Sequence, residues 1–150
     1  PYKNNGFTIQ LPDILADKYL FPISDNIPSG ITISDKTAKI AELNSFKVLD
    51  NNDIELGEII YASMDNENNG VLVSWVYVDK DVTINGQYNE IDGDDEDIRI
   101  YNNCTLKKGW NIAYQRITRT YKSAGRIKTH THSIQKPSGA NLKWYFELED

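Results

Sequence analysis

The chain has 150 residues, a single cysteine, sixteen Lys and Arg against twenty-two Asp and Glu, and a net charge of −6. That size supports one domain, residues 1–150, whose core needs no disulfide or metal staple. A lone thiol, Cys104, excludes an intrachain disulfide and a multi-thiolate zinc site, and no apolar run approaches the ~20 residues of a membrane-spanning helix.

Gly6 to Leu11 alternates apolar and polar residues and predicts a short first strand. Pro12 to Leu20 is the one helix candidate, with Pro12 suited to a first turn and Pro22 and Pro28 forbidding extension. From Ile31 the apolar period becomes two. Ala38 to Leu49 and Glu58 to Ala62 predict a hairpin closed by the turn Asp50-Asn51-Asn52-Asp53. A second polar cluster, residues 65–70, leads into Val71 to Val78, apolar at nearly every position and thus expected to be buried on both faces. Asn85-Gly86 is the strongest hairpin-turn signal in the chain. The acidic run Asp92 to Asp97 predicts a solvated loop.

Ile98 to Tyr101, Trp110 to Tyr121, Arg126 to Ile134 and Leu142 to Leu148 are the remaining strands, separated by Lys107-Lys108-Gly109, Ser123-Ala124-Gly125 and residues 136–140. In the last strand Leu142, Trp144, Phe146 and Leu148 are expected inward, and Lys143, Tyr145 and Glu147 outward. Phe46, Ile60, Val73, Trp75 and Ile117 join Trp144 and Phe146 as the expected core. Strands every 8–15 residues with turn chemistry between them predict an all-β fold: an antiparallel β-sandwich with one short N-terminal helix, or a lipocalin-like barrel.

Charge is unevenly distributed. Residues 103–143 carry nine basic side chains and no acidic one, whereas residues 1–102 are strongly acidic. Pairing of basic strands beside acidic ones explains this layout by itself. A functional surface, if present, is expected on the strands from Arg116 to Lys128, with Arg116, Arg119, Lys122, Arg126 and Lys128 as charge and Tyr121 as a stacking face.

Catalytic and metal signatures are weak. Residues 65–70 match the opening of a calcium-binding EF loop, but the position that needs a bidentate Glu is Val76. His130 and His132 share a strand face at the spacing of two metal ligands, with no third donor identified by pattern. Cys104 lacks a partnered base, and no Gly-x-Ser-x-Gly elbow occurs. The expectation is a non-enzyme without cofactor or bound metal. An acidic chain lacking RNA-binding signatures is not expected to bind nucleic acid.

The stretch Leu106-Lys107-Lys108-Gly109-Trp110-Asn111-Ile112-Ala113-Tyr114, together with Ala38 to Ala62, Tyr77 to Gly86 and Leu142 to Leu148, resembles secreted and lipoprotein β-domains of Bacteroidetes. That resemblance implies a β-sandwich exported to the periplasm or outer-membrane surface and held there by a lipid on a leader cysteine. It contributes no catalytic residues; a glycan or a protein is the partner expected of a non-catalytic binding module.

Overall fold

The computed structural model describes residues 8–25, 27–66 and 69–148. Among the described residues eleven strands carry the fold: β1 (Phe21–Pro22), β2 (Ile31–Ile33), β3 (Lys39–Leu43), β4 (Ser45–Leu49), β5 (Glu55–Asn66), β6 (Asn69–Val78), β7 (Val82–Asp92), β8 (Asp95–Leu106), β9 (Gly109–Tyr121), β10 (Arg126–Ser133) and β11 (Lys143–Leu148). The expected N-terminal helix reduces to a single 3-10 turn, Asp17–Tyr19. Its short run has neither a capping side chain nor a buried residue to hold more turns. Of the first expected strand, Gly6 and Phe7 lie outside the described residues, and Thr8 to Leu11 form no strand.

All eleven strands belong to one hydrogen-bonded sheet, ordered β1-β3-β6-β9-β10-β8-β7-β2, which curls into an open half-barrel. The two ends of that path, β1 and β2, are consecutive in the chain. The sheet forks at β6. One stretch of β6 pairs with β5 (Ala62↔Leu72) and the next with β3 (Leu43↔Trp75). Asn44 sits at the fork between β3 and β4, where its Oδ1 accepts a hydrogen bond from Ser74 Oγ at 2.6 Å. Beyond the fork, β5 carries β4 and β11 as further partners.

One pairing departs from an antiparallel design. β10 lies between β8 and β9, parallel to β8 and antiparallel to β9. β8 and β9 are joined by a short turn but diverge to admit it. That turn is held by side chains of its own neighbourhood. Asp81 accepts from Lys108 N at 2.9 Å and Lys107 Nζ at 2.8 Å, and these bonds hold its carboxyl below the usual carboxylate range. Asn111 Nδ2 donates to Lys107 O at 2.7 Å, and its Oδ1 accepts from Lys107 N at 2.8 Å. Trp110 donates from Nε1 to Pro12 O at 2.8 Å and meets Tyr77 edge-on at 5.5 Å. The lysine-glycine-tryptophan phrase is therefore a structural knot that ties the N-terminal segment to the sheet. Trp110→Phe keeps the ring and loses the donor, so we expect a loss of about 1 kcal/mol in urea unfolding.

The Asp50 turn forms as expected. Asp50 Oδ1 accepts from Asn52 N at 2.7 Å and Ile54 N at 2.9 Å, and Asp53 takes a positive φ of 61°. The β5–β6 hairpin also forms, with Asn66 opposite Asn69; Glu67 and Asn68 of its turn lie outside the described residues. Asn85-Gly86 does not turn the chain. It is a bulge inside β7, where Gly86 at φ 124° lets the backbone of Gly30 approach.

The acidic run is no solvated loop either. Asp92 to Asp95 is a tight turn between β7 and β8, and Glu96 and Asp97 already lie in β8. Gly125 packs against the backbone of Asp94, a contact that leaves no room for a Cβ.

The core gathers at the end of β6, the start of β7 and the end of β8. Ala38, Val76, Val78, Val82 and Leu106 are buried there, with Ile23, Ile33, Ile40 and Ile84 packed against them. Val73 and Ile117 are buried as expected, while Phe46, Ile60 and Trp75 are half-buried. Trp144 and Phe146 depart from the expected core, at 46% and 52% exposure. Alternation along β11 does put them on the face shared with Phe46, Tyr61 and Trp75. Among the described residues no strand packs over that face at β11, and Trp144 is covered in part by Phe46, Tyr61 and Trp75.

Candidate ligand groove

The inner face of the curl is laid out in rows by the strand register. One row crosses Tyr88, Arg99, His130 and Ile117 on β7, β8, β10 and β9. The next crosses Tyr101, His132 and Gln115. A third crosses Glu90, Asp97, Lys128 and Arg119. Insertion of β10 between β8 and β9 is what brings both histidines into the middle of this face.

Among the described residues, cavities open on it. A groove of about 840 Å³ is lined by donors and acceptors of both signs, among them Glu42, Glu58, Arg99, Gln115, Arg119 and His132. A smaller pocket of about 330 Å³ lies toward the core and is mainly apolar, with Ile23, Ile27, Ile31 and Ile84 on its walls. Glu42, Tyr101, Ala113 and His132 line both. The ring of Tyr101 stacks on His132 at 4.3 Å with 8° between planes, and forms the divide between polar and apolar halves.

Burial sets the electrostatics. His132 is pushed down to about 4, first by loss of solvent and then by His130 and Arg99. It is neutral at pH 7 and faces Gln115 Nε2 at 3.3 Å. His130 is also lowered, chiefly by burial, although Asp97 pulls the other way. Its Nε2 lies 3.4 Å from Asp97 Oδ2, and Arg99 Nε lies 3.7 Å from Asp97 Oδ1. These distances do not amount to well-formed hydrogen bonds. Asp97 Oδ1, Arg99 Nε and both ring nitrogens of His130 are buried without a hydrogen-bond partner among the described residues. Cys104 donates its thiol to His132 O at 3.3 Å, and burial raises its pKa, so the sulfur is not poised as a nucleophile.

The six expected site residues divide between the two faces. Arg119, Tyr121, Arg126 and Lys128 share the inner face, where Arg119 stands opposite Lys128 and Tyr121 opposite Arg126. Arg119 lines the groove, and Tyr121 is exposed near the hairpin tip. Arg116 points to the outer face, reaching Asp65 at 3.7 Å and Ser138 O at 3.2 Å. Lys122 lies 3.9 Å from Glu96 at the hairpin end. Arg126 binds Asp95 through its backbone N at 2.8 Å and its Nη2 at 2.9 Å. Three of the five cations therefore face carboxylates of the acidic half. Lys128 has no ion pair among the described residues.

Pattern reading missed Arg99, Tyr101 and Gln115. The signal for Arg99 was present: it is the one cation between Ile98 and Ile100, so alternation had to send it to the opposite face. Which strand it would meet there was not local information. No family model, no curated protein and no solved structure matches the chain.

Proposed function

We propose that the chain is a non-catalytic binding module, exported to the periplasm or outer-membrane surface, that holds a hydroxyl-rich ligand of the glycan class in the groove. The observation that supports it is the mixed lining of that groove. Glu42 and Glu58 accept, Arg99 and Arg119 donate, and His132 and Gln115 do either. A sugar hydroxyl both donates and accepts, so it satisfies such a wall where a polyanion would meet the glutamates. Anchoring through a lipid on a leader segment, and a sandwich-like second layer over the outer face, are part of the same proposal.

A glycan array followed by titration calorimetry tests the reading. We expect an oligosaccharide whose affinity falls more than about tenfold in Arg99→Ala and Gln115→Ala, and which changes little from about 50 to 500 mM salt. An array without hits overturns the glycan class. Steeply salt-dependent retention on heparin, lost in Arg119→Ala and Lys128→Ala, supports a second reading, a basic surface for a polyanion; the direct opposition of Arg119 and Lys128 favours it.

A further inference from the structure

We propose that β11 is a self-complementary edge through which two copies of the chain pair, antiparallel about a two-fold axis at Tyr145. Among the described residues β11 is bonded to β5 on one side only, so its other edge presents backbone groups that no described strand pairs. Edges of soluble proteins are usually guarded by Pro, a bulge or charge on the open face. Here Trp144, Phe146 and Leu148 are all exposed on one face, continuous with the ring cluster of Phe46, Tyr61 and Trp75.

The sequence of the strand selects its occupant. Antiparallel pairing of two β11 strands centred on Tyr145 sets Lys143 opposite Glu147, and Trp144 opposite Phe146, each pair occurring twice. Lys143 and Glu147 have no ion pair within the chain among the described residues. The centring holds whichever backbone groups face outward, because an antiparallel register about one residue pairs the same side chains in either case. A second copy thus extends the sheet and brings Trp144 and Phe146 of both copies onto one shared face.

Sedimentation equilibrium of the whole chain tests this. A concentration-dependent dimer is expected. Lys143→Glu sets two glutamates together and Glu147→Lys two lysines, so each alone should weaken association at least tenfold. The double variant Lys143→Glu with Glu147→Lys restores opposite charges and should return it to within a few-fold of the original. Tyr145 faces itself across the axis, so Tyr145→Cys should form an intermolecular disulfide on mild oxidation. A monomer at millimolar concentration overturns the proposal. So does a dimer indifferent to the charge reversals, or one in which Tyr145→Cys does not crosslink. Glycan binding by a chain that stays monomeric would leave the groove reading standing while removing this one.

Discussion

Lowering the pH from 6.5 toward 4 should cost the protein roughly 3 kcal/mol of stability through His132 alone. The folded value of about 4 lies below the ordinary 6.5, because stacking under Tyr101 takes the ring out of water. Between those two values the unfolded chain binds a proton that the folded chain refuses. Stability is therefore fully present above pH 6.5 and declines as pH falls through the window. His130, lowered by burial as well, acts in the same direction. The measurement is the urea midpoint from pH 7.5 to 4. His132→Phe keeps the stack on Tyr101 without the titration, and should flatten the profile. An unchanged slope in that variant would overturn the assignment, because carboxylates such as Asp35 and Asp50, held low by turn hydrogen bonds, lose their contribution only below about pH 4.

Gly57→Ala should cost about 2 kcal/mol or more. Gly57 has φ 148°, and a Cβ there would run into the carbonyl of Glu147. It is the residue opposite Leu148 in the β5–β11 register. The added methyl must push β11 off β5, and with it Trp144 off Tyr61 and Trp75. A red-shifted tryptophan emission at a lowered melting temperature is expected. Gly93→Asn is the matched control. Gly93 has φ 58° with nothing near a built Cβ, and Asn tolerates that region, so the change should be within a few tenths of a kcal/mol.

Local chemistry was readable in the sequence wherever it was decided locally. Asp50 and its neighbours announced a turn because the carboxylate bonds amides two and four residues on. Val71 to Val78 announced a doubly covered strand because both of its faces are apolar. Asn85-Gly86 misled because the same backbone freedom serves a turn or a bulge, and only the distant Gly30 decides between them. The acidic run misled because its carboxylates answer Lys122, Arg126 and His130, some thirty residues away in sequence. Glu147, expected outward, lines the groove, whereas Trp144 and Phe146, expected inward, lie on the outer face beside Trp75. What covers that face was not written in the strand. Of the groove, the shared side of Arg119, Tyr121, Arg126, Lys128 and both histidines followed from period two. Arg99 and Tyr101 joined them only because β10 runs parallel to β8.

That parallel strand also sets an order of events. Until residues 126–133 dock, β8 and β9 are joined around their short turn, and each shows the other the edge that β10 will pair. A strand that must slide between two already formed edges closes long loops before it gains contacts, so its docking should be the slow step of refolding. Both histidines ride on it. The ionisable middle of the inner face is therefore assembled last, and a chain caught before that step is exposed to pairing with another of its kind.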